Sequence, residues 1–160
     1  MANLTGNRPN QNRLIVEGVT EQRVIPELME KNGVLWSQKQ PPVDIKVSGG
    51  YEEITAKVIS ANLKTEGLKA LGLIIDADEN PQERWQSIRN RALTSIDDLP
   101  EDLPETGLIH ETQRGIRFGV WIWQNPPGRQ LHQALKEKIF QPSHPHAQRF
   151  VQWFQDLYRF

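Results

Sequence analysis

Three carboxylates are placed to hold a cation or move a proton: Glu17, Asp76 and Asp78. Glu17 closes the apolar run Leu14-Ile15-Val16 and is followed by Gly18, while Asp76-Ala77-Asp78 closes Leu71-Gly72-Leu73-Ile74-Ile75. Carboxylate oxygens suit a hard divalent cation, and neighbouring carboxylates repel one another unless positive charge lies between them. A short apolar run that ends in acid and gives way to a helical pattern reads as a buried parallel strand feeding a helix. In open α/β sheets the ligand crevice lies outside the carboxyl ends of the strands. All three acids are therefore expected on one rim, as a divalent-metal site. An acid at a strand end can also cap the next helix, and an Asp-x-Asp is common by chance; two such motifs, correctly ordered on strand ends, favour the metal.

The elements carrying these acids show the same pattern. Residues 1–12 are polar and read as a flexible terminus. Arg13–Glu17 reads as the first strand, and Thr20 as the N-cap of a helix carrying Val24, Ile25, Leu28 and Met29 on one face, up to Asn32-Gly33. Pro26 falls too deep for a first-turn proline, so that helix is expected to start late or kink. Val43–Val47 alternates as a strand would, and Ser48-Gly49-Gly50 turns the chain into a helix from about Tyr51 to Leu63 that buries Ile54, Val58 and Ala61. A glycine-rich turn at a helix N-terminus offers N–H groups to an anion, which makes Gly49 and Gly50 candidate phosphate ligands; a turn that merely needs glycine is the plainer alternative.

Lys69–Asp76 is the most apolar run and should be the central strand. Asn80-Pro81-Gln82-Glu83 supplies an N-cap, a first-position proline and a third-position Glu for a helix to about Leu93 with Trp85, Ile88 and Ala92 inward. The acidic, proline-broken stretch 97–105 reads as a solvated connector. Gly107–Thr112 and Ile116–Trp123 flank Gln113-Arg114-Gly115 as a hairpin whose second arm is apolar on both faces. A short helix at about 129–139 and a last helix complete the chain, the last with Phe150, Trp153, Phe154, Leu157 and Tyr158 at helical spacing.

Composition bounds the function. At 160 residues, with nineteen basic against twenty acidic side chains and a net charge of -1, the chain is the size of one domain and carries no global basic field for nucleic acid. Any such contact must be a local patch. The absence of cysteine excludes disulfides and thiolate metal sites and suits a reducing cytoplasm. No run approaches the roughly 18 apolar residues of a membrane span.

Leu14-Ile15-Val16-Glu17-Gly18 followed by Asp76-Ala77-Asp78 resembles the Toprim domain of topoisomerases, primases, recombination-mediator proteins and overcoming-lysogenization-defect nucleases. The order strand, Glu-Gly, helix, strand, Gly-Gly, helix, strand, Asp-x-Asp, helix covers about residues 13–95. Gly119-Val120-Trp121-Ile122-Trp123 and Phe150-Val151-Gln152-Trp153-Phe154 look like a small stand-alone bacterial Toprim-related family of unknown function, extending the likeness through residues 107–160.

The resemblance implies a Rossmann-like α/β domain over 13–160 with a mostly parallel sheet, an added hairpin and C-terminal helices. It also implies Mg²⁺, or Mn²⁺, held by Asp76 and Asp78. Glu17 would then be a general acid or base, or a further ligand, for phosphoryl transfer by a nuclease on DNA or RNA. The chain departs from the Toprim pattern at Glu21, where an aspartate is usual, and its only lysines after Asp78 are Lys136 and Lys138. Those departures point to the alternative of a degenerate, non-catalytic module that binds nucleic acid or a protein partner such as an ATPase.

Other residues carry weaker signals. Arg84, Arg89 and Arg91 come after the Asp-Ala-Asp closely enough for one or two to reach a phosphate, Arg84 first among them, or they form an exposed helix face. Asp44 and Lys46 read as a surface pair. His144-Pro145-His146 reads as a helix lead-in rather than a metal site, and Gly119 as a bulge or a close approach. The C-terminal aromatic set reads as core, with a homodimer interface as the next option.

Overall fold

The computed structural model of the chain describes residues 11–77, 80–123 and 145–160. Its strands are β1 (Asn12–Val16), β2 (Asp44–Val47), β3 (Ala70–Asp76), β4 (Leu108–Glu111) and β5 (Arg117–Trp123). The α-helices among the described residues are α1 (Val19–Lys31), α2 (Ala56–Leu63), α3 (Pro81–Ala92) and α4 (Pro145–Tyr158). One sheet runs in the order β2-β1-β3-β5-β4, with β1, β2, β3 and β5 parallel and β4 antiparallel on the outer side of β5. The expected Rossmann-like α/β architecture, with its mostly parallel sheet, added hairpin and C-terminal helix, is present. The short helix expected at 129–139, together with Lys136, Lys138 and His144, lies outside the described residues.

Chain direction fixes which helix covers which face. The step from β1 to β2 through α1 travels one way across the sheet, and the steps through α2 and α3 travel the other. Crossovers of a single hand then place α1 on one face and α2 and α3 on the opposite one. The strands alternate accordingly. Leu14, Val16, Ala70 and Ile74 pack with Ile25, Leu28 and Met29 of α1, whereas Ile15, Leu71, Leu73 and Ile75 pack with Ile59, Trp85 and Ile88. β3 is central and buried on both faces, as its unbroken apolar run requires.

The same logic explains the aromatic C-terminal helix. Among the described residues no crossover helix covers the α1 face beneath β3, β5 and β4, and α4 fills that space with Phe150, Trp153, Phe154, Leu157 and Tyr158, all buried. Gly72 and Gly119, paired in register on β3 and β5, form its floor. A Cβ on Gly72 would come within 2.7 Å of the Tyr158 hydroxyl, and one on Gly119 within 2.7 Å of Leu157 Cδ2. Gly119 is thus a close approach. Three polar contacts lock the helix: the Tyr158 hydroxyl donates to the Arg13 carbonyl at 2.6 Å, Trp153 Nε1 to the Leu108 carbonyl at 2.9 Å, and Arg117 Nε to the Leu157 carbonyl at 2.7 Å. The aromatic face is core.

Two helix starts differ from the sequence expectation. Helix α1 begins at Val19 with Gly18, not Thr20, as its N-cap, and Pro26 sits inside it. An interior proline costs about 3 kcal/mol, while full burial of Ile25, Leu28 and Met29 contributes about 2 kcal/mol each, so packing outweighs the missing donor. The helix expected from Tyr51 is split into a 3-10 turn, Tyr51–Glu53, and α2, whose N-cap Thr55 accepts the Val58 N–H at 3.2 Å. Its register shifts with the split. Ile59 and Leu63 are buried, whereas Val58 is half-buried and Ala61 exposed; Ile54 is buried ahead of the helix. By contrast α3 starts as expected, with Asn80 Oδ1 accepting from the N–H groups of Gln82 and Glu83.

Candidate functional site

β1 and β3 are neighbours whose onward connections leave in opposite directions, which makes the gap between their carboxyl ends the topological switch point of the sheet. Glu17 comes directly after β1 and Asp76 is the last residue of β3. The two meet there. Glu17 Oε2 accepts the backbone N–H of Asp76 at 2.7 Å, so the Glu17 side chain reaches across the strand gap. Asp78 lies outside the described residues, and among the described residues no three acidic or histidine side chains gather closely enough to hold a metal ion by themselves.

Electrostatics at this rim are unfavourable to bare negative charge. Burial raises the proton affinity of the Glu17 carboxyl above its ordinary value. The Asp76 N–H hydrogen bond opposes that rise, the Asp76 charge adds to it, Arg84 opposes it, and Glu21 adds a smaller like-charge push. Glu21, the residue that departs from the Toprim pattern, is the buried charged side chain of α1, and its Oε2 would lie 3.1 Å from a Cβ on Gly18. The acids therefore crowd one rim, with the Arg84 guanidinium supplying positive charge.

The glycine turn borders the same rim but uses its donors internally. Gly49 donates its N–H to the Glu17 carbonyl at 3.1 Å, Ser48 donates to the Val16 carbonyl at 2.8 Å, and the Gly50 N–H goes to Ser48 Oγ at 3.3 Å. Gly49 at φ +89° and Gly50 at φ +136° hold a backbone that only glycine adopts without strain. The next element is a 3-10 turn rather than an α-helix N-terminus. The turn's observed work is to place the loop after β2 beside Glu17.

The three arginines of α3 separate by partner. Arg89 donates to the carbonyls of Pro100 and Leu99 at 2.8 and 3.1 Å, fastening the acidic connector, and Arg91 Nη1 donates to those of Tyr51 and Ile54 at 3.0 and 2.8 Å. Both hold loops together. Arg84 sits over the Tyr51 ring, its guanidinium carbon 3.8 Å from the centroid, and its charge registers on Glu17. Tyr51 is a site-bordering residue that sequence patterning does not single out. The available signal is its position directly after Gly49-Gly50, together with the seven-residue spacing of Arg84 and Arg91.

The remaining candidates fall elsewhere. Asp44 and Lys46 form a surface ion pair at 3.3 Å. A cleft of about 410 Å³ lies at the opposite, amino-terminal end of β3 and β5, lined by residues that include Lys64, Asp98 and Arg114 but neither Glu17 nor Asp76. The strand-end acids lie instead where an α/β sheet binds ligands. Among the described residues no helix is long and apolar enough to cross a membrane.

The sequence profile of a family described as protein of unknown function, DUF3226, matches residues 11–123 and 122–159. No significant match is found among curated proteins or among solved structures. The matched segments take in both strand-end acids, the glycine turn and the aromatic helix, and with nearly the whole sequence covered the chain belongs to the DUF3226 family.

Proposed function

We propose that this protein is a Mg²⁺-dependent phosphoryl-transfer protein of Toprim type, a nuclease acting on DNA or RNA. Asp76 and Asp78 hold the ion, Mn²⁺ can replace it, and Glu17 completes the site or moves a proton. The observation that carries this reading is the meeting of Glu17 and Asp76 across the switch point, with burial disfavouring the charged form of Glu17.

The donor set fits such an ion. Mg²⁺ keeps several waters and is usually bound through one or two carboxylates plus substrate phosphate, so two or three oxygens from this rim suffice. When bound, the ion neutralises phosphate charge and lowers the pKa of water. The chain's own residues account for the rest. The Asp76 N–H fixes the orientation of the Glu17 carboxyl, and a carboxyl whose proton affinity is raised by burial is closer to the range useful for general acid–base work. Arg84 presents a planar donor fork suited to phosphate oxygens.

The test is cleavage of single- and double-stranded DNA and RNA with Mg²⁺ or Mn²⁺. Activity that Asp76→Asn abolishes supports the reading. Absence of cleavage by the purified protein, or cleavage untouched by Asp76→Asn, removes it.

One observation favours the second reading, a non-catalytic module. The Glu17 carboxylate already ties β1 to β3 through the Asp76 N–H, a structural task that needs no metal. Capture of a nucleic acid or a protein partner that survives Glu17, Asp76 and Asp78 all replaced by Ala would select this reading over the enzyme.

A further inference from the structure

We propose that Tyr51 is a positioning residue: its ring, braced by Arg91, holds the Arg84 guanidinium at the switch-point rim so that Arg84 takes the phosphodiester anion of a nucleic-acid strand. This rests on the reading of that rim as a phosphoryl-transfer site.

The brace is built from both ends. Gly49 and Gly50, with positive φ, turn the chain out of β2 and deliver Tyr51 against α3. Arg91 then fixes Tyr51 twice: Nη1 donates to the Tyr51 and Ile54 carbonyls, and the guanidinium carbon lies 4.2 Å from the ring centroid. Arg84, on the same helix, lies 3.8 Å from that centroid. Two cations seven residues apart on one helix, about 10 Å along its axis, thus converge on a single ring.

Stacking uses the faces of a guanidinium and leaves its N–H groups in the plane, pointing outward. With five N–H donors on its guanidinium, Arg84 held by the ring can donate to phosphate oxygens alongside its protein partners. A side chain already restrained by stacking loses less rotamer freedom when it takes a ligand. The position has an electrostatic purpose as well. Glu17, Glu21 and Asp76 together repel a phosphodiester, and among the described residues Arg84 is the cation whose charge registers on Glu17.

The experiment measures binding of a fluorescent oligodeoxythymidine strand to the full chain by anisotropy, in Mg²⁺ and in EDTA. Removing a charge-assisted contact weakens binding by about tenfold, so Arg84→Gln and Tyr51→Leu are each expected to do so, while Tyr51→Phe stays near wild type. The double variant Arg84→Gln/Tyr51→Leu should bind no more weakly than Arg84→Gln alone, because Tyr51 acts only through Arg84. Should Tyr51→Leu fail to fold, Arg84→Lys decides: it keeps the charge but loses the planar stack, and it should bind several-fold more weakly.

Additive losses in the double variant, wild-type binding by Tyr51→Leu or Arg84→Lys, or no binding by the wild type overturns the proposal. A separate Mg²⁺ titration distinguishes the two failures. Strand binding that depends on Tyr51 without any Mg²⁺ binding sinks the metal reading and leaves the brace. Mg²⁺ binding beside a Tyr51-independent affinity sinks the brace alone.

Discussion

Glu17 Oε2 accepts the backbone N–H of Asp76 at 2.7 Å, joining the carboxyl ends of β1 and β3 at the switch point of the sheet. The residue that ties the strands is thus also the carboxylate whose ionised form burial disfavours. Structural and electrostatic roles meet in one side chain.

The stability consequence of that burial has a definite sign. The folded Glu17 carboxyl binds its proton more tightly than the unfolded one, whose ordinary value is 4.5, so its charge costs stability above the folded pKa and costs none below 4.5. Glu17→Gln keeps an acceptor for the Asp76 N–H and removes the charge. Thermal denaturation at neutral pH should show the variant more stable than wild type by up to about 1 kcal/mol, solvent screening limiting the gain. The difference should vanish as the pH falls below 4.5, and Mg²⁺ should narrow it at neutral pH by stabilising the wild type more than the variant.

The docking of α4 on the paired glycines gives an independent prediction. Gly72→Ala would press on the Tyr158 hydroxyl, Leu157 and Leu14, and Gly119→Ala on Leu157 and Trp153. Overpacking of this kind costs roughly 1–3 kcal/mol, which lowers Tm by about 2–4 °C per kcal/mol in a chain of this size. Both substitutions displace Leu157, so the double variant should lose less than the sum of the singles. Near-UV circular dichroism should change with them, since Trp121, Phe150 and Trp153 pack on one another.

The strands, their order of burial and the placement of Glu17 and Asp76 on one rim are legible in the sequence because a short continuous apolar run and its terminal acid are local signals. Asn80-Pro81-Gln82-Glu83 is legible for the same reason: a cap is a contact between near neighbours. The features that the sequence hides depend on partners far along the chain. The break after Glu53 coincides with Arg91 holding the Tyr51 and Ile54 carbonyls from forty and thirty-seven residues away. Gly72 and Gly119 reveal their purpose only when α4 is laid across them. Tyr51 has the pattern of an ordinary helix residue, and only the fold brings Arg84 and Arg91 onto its ring.

Tyr158 anchors the other end of this packing. Its buried hydroxyl donates to the Arg13 carbonyl at 2.6 Å, and Tyr158→Phe leaves that carbonyl without its partner at a cost of about 1–3 kcal/mol in chemical denaturation. Burial also pushes its ionisation well above the ordinary value of 10.0. The folded state therefore resists losing this proton. The Tyr158 contribution should be intact at neutral pH and fall away as the pH rises past 10, a loss that Tyr158→Phe should not show.

A metal at the switch point is tested most sharply by paramagnetic broadening of backbone amide resonances by Mn²⁺, competed with Mg²⁺. An ion held by Asp76, with Asp78 and Glu17, should selectively broaden Gly18, Gly49 and Ala77, all adjacent to the Glu17–Asp76 contact. Mg²⁺ should restore those resonances, and Asp76→Asn should abolish the effect. No selective broadening at millimolar Mn²⁺, or broadening confined to the acidic stretch around Asp97 and Asp98, would contradict a metal site at the switch point.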